Sequence, residues 1–115
     1  MGNALTTVDT SRTDNYSSQL VEIRKTAPYV QWFDSLRDRQ ARARVDVRVF
    51  RLAHGNPGQH RVLTDGVVEM KIDYGPGYRV YFTRRGFELV LLLIGGDKTT
   101  QQQDIEAAIR LAKEI

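Results

Sequence analysis

The fold is decided by residues 66–96, GVVEMKIDYGPGYRVYFTRRGFELVLLLIGG. Apolar and polar residues alternate over 68–74 and again over 79–83, which predicts two half-buried strands. The GPG run at 75–77 predicts the turn that joins them. Residues 87–94 are almost continuously apolar, so they predict a central strand with both faces covered. The segment therefore predicts a three-stranded meander.

The polar positions of the first two strands share one face of the predicted sheet. Side chains alternate between the two faces of a strand, so these residues lie opposite the apolar ones. They are Glu69, Lys71, Asp73, Arg79, Tyr81 and Thr83. Cations beside a tyrosine on a rigid sheet suit an RNA backbone and a stacked base. A solvated face with cross-strand ion pairs is the alternative, and the pattern alone slightly favours it.

Working outward from the meander, the N-terminal side predicts a strand and two helices. Alternation over 21–24 predicts a short strand, and Thr26 followed by Pro28 predicts a helix start. That helix has an apolar stripe at helical spacing, consisting of Tyr29, Trp32, Phe33 and Leu36. Residues 41–53 fit both a strand and a helix, and their alanines and arginines favour a helix. Residues 54–66 are expected to form a loop.

On the C-terminal side, Thr99 or Thr100 is expected to cap a final helix, whose apolar stripe runs from Ile105 to Ala112. The predicted fold is α+β, with a small, mostly antiparallel sheet made of the N-terminal strand and the meander. Two helices precede the meander and one follows it.

The length of 115 residues fits one domain and is too short for two. Residues 1–19 are polar and are expected to form a disordered tail, leaving 20–115 as the single domain. The chain has no cysteine, which excludes disulfides, a zinc ribbon and a cysteine nucleophile and favours the cytoplasm. No apolar stretch suits a signal peptide or a membrane span.

Arginine dominates the basic residues of the chain. Residues 37–61 contain seven arginines and two aspartates, a net charge of +5. Arginine forks match phosphate and carboxylate geometry, so this region is expected to attract polyanions. A solvated helix face explains the same run equally well.

Two runs carry a family resemblance: GVVEMKIDYGPGYRVYF at 66–82 and LLLIGGDKTTQQQDIEAA at 91–108. Together they resemble the RelE/ParE superfamily of toxins from toxin-antitoxin modules, in its HigB-like addiction module killer branch. The resemblance spans about residues 20–113. It implies a RelE-like fold and an mRNA interferase that inhibits translation, usually on the ribosome. It also implies a helix-turn-helix antitoxin as partner, with operator DNA bound only through the antitoxin complex.

The resemblance implies site residues as well. Arg79 matches the arginine that contacts the scissile phosphate, Lys71 matches a strand lysine, and Lys98 matches a basic residue just beyond the last strand. Glu69 stands where a second basic residue is expected, and Asp104 stands about where a catalytic tyrosine falls. These two departures leave the identity of the general base open.

RNA supplies its own nucleophile, the 2′-hydroxyl, so such an enzyme needs cations and an acid-base pair, and no metal or other cofactor is expected. Arg79 is assigned to the phosphorane and Lys98 to the general acid or a second phosphate contact. Lys71, Glu69 or Asp104 is the general base. Tyr81, Arg61 and Arg84 are expected to bind substrate. His54 and His60 are interpreted as loop histidines outside the chemistry.

Two rival functions remain at this point. One is a ParE-like gyrase poison that performs no hydrolysis. The other is a non-catalytic nucleic-acid-binding co-repressor. The cations at positions 71, 79 and 98 argue against the gyrase poison, because that mode needs no phosphate-binding sheet face. No membrane partner is expected.

Overall fold

The computed structural model describes residues 20–115, and the predicted tail at 1–19 lies outside the described residues. The domain is α+β, as predicted: a five-stranded mixed sheet with helices on both faces. The elements in chain order are β1 (Glu22–Lys25), α1 (Ala27–Ser35), α2 (Arg39–Ala53), β2 (His60–Val62), β3 (Val67–Ile72), β4 (Tyr78–Arg85), β5 (Leu89–Gly96), a short 3₁₀ helix (Lys98–Thr100) and α3 (Gln101–Glu114).

The strands are ordered β1-β5-β4-β3-β2 across the sheet. The predicted meander forms its centre, with β3 antiparallel to β4 and β4 antiparallel to β5. Strand β1 pairs in parallel with β5, Glu22 lying opposite Leu89. The connection between these two parallel strands contains both N-terminal helices and strands β2, β3 and β4, so it is long enough for the crossover that a parallel pair requires.

The sheet separates two apolar cores. Helices α1 and α2 cover one face, where Tyr29, Val45 and Leu52 pack on β3, β4 and β5. Helix α3 covers the other face, where Ala108 packs with Val67, Tyr81, Leu91 and Leu93. Strand β5 contributes to both cores, which confirms the prediction that both of its faces are covered.

Both N-terminal helices begin where their sequences favour a start. The Thr26 hydroxyl accepts the backbone N–H of Tyr29 at 3.1 Å, which caps α1 as predicted. Asp38 caps α2 by accepting the backbone N–H of Gln40 at 2.9 Å. The helical interpretation of residues 41–53 is confirmed, since α2 buries Ala41, Val45 and Leu52 along one stripe.

Three predicted details are wrong. The predicted loop at 54–66 contains strand β2, so the sheet has one strand more than expected. Phe87 is 97% exposed and precedes β5, because the strand begins at Leu89. Asp97, and not a threonine, caps the 3₁₀ turn before α3 by accepting the Thr99 N–H at 2.8 Å, while Thr100 makes no side-chain cap bond to α3.

Two glycines at the end of β5 let helices approach the sheet closely. A Cβ at Gly95 would overlap the Trp32 ring, and one at Gly96 would overlap the Asp104 carboxylate. The end of β5 is therefore held between α1 on one face and α3 on the other. Within residues 20–115, no helix combines the length and apolar character that crossing a membrane requires.

Candidate functional site

A polar pocket of about 270 Å³ lies at the open end of the α3 face, beside the edge strand β2. It brings together Lys71 and Arg79, which face each other across β3 and β4, and Arg61 of β2. Its lining residues are Gln59, His60, Arg61, Glu69, Lys71, Arg79 and Gln101. Four of the eight predicted site residues therefore meet in one cavity.

The predicted polar face is largely buried, contrary to the expectation of an exposed RNA-binding surface. Helix α3 packs on it, leaving Tyr81 fully buried and Thr83 nearly so. The Thr83 hydroxyl donates to the Gly66 carbonyl at 2.9 Å. A base cannot stack on Tyr81 in this structure, so that part of the substrate-binding prediction is wrong.

Glu69 is the centre of the buried polar cluster beneath the pocket. One carboxylate oxygen accepts hydrogen bonds from the Tyr81 hydroxyl at 2.8 Å and the Gln101 amide at 2.9 Å. The other oxygen accepts the Arg61 guanidinium at 3.2 Å from Nε, with Nη2 at 3.1 Å. Both oxygens are thus engaged, which makes Glu69 a positioning group for the pocket.

Tyr81 acts in this cluster as a permanent hydrogen-bond donor. Burial raises the pKa of its hydroxyl far above the ordinary value for tyrosine, and the hydrogen bond to Glu69 raises that pKa further. The phenol therefore stays protonated at any working pH. It fixes Glu69 in place and takes no part in proton transfer.

Arg79 lies at the floor of the pocket with its side chain 8% exposed. Nη1 donates to the Gly77 carbonyl at 2.6 Å. Nε is buried 3.8 Å from the Glu69 carboxylate and has no hydrogen-bond partner in the part of the chain that the structure describes. Nη2 makes no hydrogen bond to any residue within 20–115. The guanidinium is held in position and keeps unused donors, an unusual state for a buried polar group.

Other cations stand near this guanidinium. Lys71 is half-buried and lies directly opposite Arg79 in the sheet. Lys98 is exposed at the start of the 3₁₀ helix, and its Cβ and the Arg79 Nη1 both lie within 4 Å of the position that a Cβ on Gly77 would occupy. Lys71 and Arg79 are therefore neighbours in the pocket, whereas Lys98 lies outside the pocket lining.

His60 lines the pocket, a position that was not expected from the sequence. Its Nδ1 lies 2.7 Å from the Gly58 carbonyl, and since a carbonyl can only accept, Nδ1 carries the proton. In this tautomer Nε2 is the acceptor atom of the ring. The predicted loop placement of His60 is wrong because the residue begins strand β2.

Asp104 and Arg84 lie outside the pocket lining. Burial raises the pKa of Asp104, the nearby Asp97 charge adds to this, and a hydrogen bond from the Thr100 hydroxyl partly offsets it. The Arg84 guanidinium lies 5.8 Å from the centre of the Phe82 ring, which belongs to the core under α1 and α2. Arg84 is also five residues from Arg79 along β4, about 16 Å at the rise of an extended strand.

The chain is 41% identical over 95 residues to a protein of Haemophilus influenzae (strain Rd) whose name says only that it is uncharacterized. The aligned region covers 83% of this chain and 96% of that relative. No protein-family model matches the chain, and no solved structure matches it. The relative's name gives no activity, substrate or partner, so the chemistry of the pocket rests on its own residues.

Proposed function

The chain belongs to the same family as that Haemophilus influenzae protein, and we propose that it is an endoribonuclease toxin whose scissile phosphate binds in the Arg79 pocket. The sequence runs that resemble RelE/ParE toxins supply Lys71 and Arg79 to this pocket. In this proposal the chain acts on mRNA in the cytoplasm, on the ribosome, and an antitoxin neutralises it.

One observation carries the proposal: the Arg79 guanidinium is nearly buried and is held by two neighbouring groups, yet some of its N–H donors have no acceptor among the described residues. The Gly77 carbonyl and the Glu69 carboxylate fix Arg79, leaving Nη2 without an acceptor among the described residues. Donors fixed in advance need no reorganisation when negative charge develops on a phosphorane, which is how such groups accelerate a reaction. Arg79 is the phosphorane-binding residue in this scheme.

The residues around Arg79 supply the rest of the reaction. Nε2 of His60 takes the proton of the 2′-hydroxyl, whose oxygen attacks phosphorus and displaces the 5′-oxygen of the next nucleotide. Lys98 protonates that leaving oxygen. The products are a 2′,3′-cyclic phosphate and a 5′-hydroxyl end, and no step requires a metal ion. Lys71 and Arg61 bind the flanking phosphates.

The test is inducible expression in bacteria followed by mapping of mRNA 5′ ends. Wild-type protein is expected to arrest growth and produce new 5′-hydroxyl ends. Arg79→Lys keeps the charge but loses the planar fork, so cleavage is expected to fall by roughly 10²- to 10³-fold. Arg84→Ala, on the same strand but outside the pocket, is the matched control and should cleave normally. Arrest with intact mRNA would contradict the proposal, and broken chromosomes would indicate a gyrase poison.

The role of His60 has its own test with the purified protein. His60→Gln removes the proton acceptor and should abolish cleavage, whereas His54→Gln, outside the pocket, should not. Unchanged cleavage by His60→Gln would remove this residue from the mechanism.

A non-catalytic nucleic-acid binder is the second candidate, and the burial of Arg79 favours it. A guanidinium only 8% exposed can contact one phosphate oxygen more easily than it can surround a phosphorane. Under this alternative the protein binds RNA with an affinity that depends on Arg79 and Lys71 yet produces no new ends. The same mapping experiment, combined with an RNA-binding measurement, separates the two functions.

A further inference from the structure

Helix α2 carries a second apolar row that faces away from the core. The buried row contains Val45 and Leu52. On the opposite side, Val47 and Phe50 are 46% and 65% exposed, far more than their apolar character favours. Exposed aromatic and aliphatic side chains next to arginines are typical of protein-protein interfaces.

This row borders a groove of about 540 Å³ between α2 and the end of β3. Its apolar part is formed by Ala43 and Val47 on the helix and by Ile72 on the strand. Three arginines, at positions 44, 48 and 51, line the same groove, and Asp73 is the one acidic residue in its lining. The groove therefore combines an apolar strip with an excess of positive charge.

The three arginines differ in how they are held. Arg48 is a fixed part of the groove wall, because its guanidinium donates to the carbonyls of Lys71, Pro57 and Gln59 at 2.6–3.0 Å. Arg44 lies 4.5 Å from the centre of the Tyr74 ring, and neither Arg44 nor Arg51 forms an ion pair within residues 20–115. Two guanidinium groups thus remain to pair with incoming carboxylates.

We propose that this groove binds an acidic segment of a partner protein, with one apolar side chain against Val47 and Ile72 and carboxylates on Arg44 and Arg51. Charge complementarity selects an acidic partner, and the apolar strip selects a protein segment over RNA, whose phosphates would leave Val47 exposed. The groove lies on the α1–α2 side of the sheet, opposite the Arg79 pocket. The inference does not depend on ribonuclease activity.

The test is selection of a random dodecapeptide phage library on the full chain, followed by fluorescence anisotropy with the selected peptides. These peptides should carry Asp or Glu around a Leu, Ile or Phe. The double variant Arg44→Glu/Arg51→Glu should bind them at least tenfold more weakly, and peptides with Lys in place of the acidic residues should regain affinity for it. Val47→Ser removes the apolar contact without changing charge and should also weaken binding.

Arg84→Glu is the control, since it reverses one positive charge outside the groove. Four results would overturn the proposal. They are selected peptides without acidic residues, equal binding to the charge-reversed variant, full competition by single-stranded RNA, and a wild-type dimer in light scattering that Val47→Ser converts to a monomer. Normal circular dichroism of each variant establishes that a loss of binding is not a loss of fold.

Discussion

Replacing Glu69 by Gln tests whether the buried cluster holds the pocket together. The substitution keeps the size of the side chain but removes the charge that compensates Arg79 and holds Arg61. It also replaces one of the two accepting oxygens by an amide that can only donate. Because the Tyr81 hydroxyl and the Gln101 amide both donate to the same carboxylate oxygen, the glutamine can keep that pair only by turning its NH₂ toward Arg61.

The magnitude follows from the contacts. A hydrogen bond to a charged group contributes roughly 1.5–3 kcal/mol, and breaking a buried ion pair from one side costs about 3–5 kcal/mol. The pair with Arg61 counts little, because the Arg61 side chain is 58% exposed. The Arg79 Nε lies 3.8 Å away without a hydrogen bond, so the lower end of the range applies. We expect a loss of about 3 kcal/mol in the free energy of unfolding.

Urea denaturation and calorimetry measure this loss. In a domain of this size, each kcal/mol corresponds to a shift of about 4–8 °C in melting temperature, so Glu69→Gln should melt about 12–24 °C lower. Glu88→Gln, at an exposed glutamate in the turn before β5, should change stability by less than about 0.5 kcal/mol. A loss below about 1 kcal/mol in Glu69→Gln would refute the reasoning, because it would mean that the cluster is solvated in solution.

Two further predictions concern the contacts of helices with the end of β5. Gly95→Ala places a methyl group against the Trp32 ring and should destabilise the domain by about 1–3 kcal/mol in urea denaturation; an unchanged midpoint would mean that the ring moves freely. Asp104→Asn tests the raised pKa of Asp104. Because the folded state binds this proton more tightly than the unfolded chain, the folded protein loses stability as pH rises from about 3.9 through the folded pKa of the carboxyl. The asparagine variant should therefore gain stability relative to wild type between about pH 4 and pH 7, and parallel pH profiles would contradict the assignment.

The sequence predicted the elements better than it predicted what covers them. Alternation identified β3 and β4, and helical spacing identified α1 and α3, because these patterns follow directly from side-chain geometry. For α2 the spacing was ambiguous, and its alanines and arginines decided for a helix. Strand β2 was missed because it has three residues next to a Gly- and Pro-rich stretch, where turn composition outweighs strand pattern. Its pairing with β3 is a tertiary contact without a local signal.

The polar face was misjudged for a different reason. The alternation of side chains along the strands correctly placed Glu69, Arg79 and Tyr81 on one side of the sheet. Alternation alone does not indicate whether that side is exposed to solvent. Two separate segments did indicate that this face is buried. The apolar stripe of α3 needs a surface to pack against, and the continuous apolar run of β5 needs cover on both faces of the sheet. Once α3 packs there, Tyr81 becomes a buried donor and Glu69 becomes the acceptor that orients Arg61 and Arg79.

The placement of the candidate site was partly predictable. Lys71 and Arg79 face each other because the turn at 75–77 fixes the register of β3 and β4. The pairing of β2 brings Arg61 into the pocket, because Arg61 lies opposite Glu69. His60 lies opposite Met70, whose side chain packs on the other face of the sheet, so neither the register nor a motif predicts that His60 lines the pocket. Arg84 was assigned to the site from charge alone, and the structure places it by the other core.

The most direct test is a titration of isotope-labelled protein with an RNA oligonucleotide that carries 2′-O-methyl groups and cannot be cleaved. The guanidinium resonances of Arg79 are expected to shift and saturate as the RNA binds, because its unused donors gain a phosphate acceptor, while those of Arg84 stay unchanged. Saturable binding that moves other arginines and leaves Arg79 unshifted would contradict the account, as would the absence of binding.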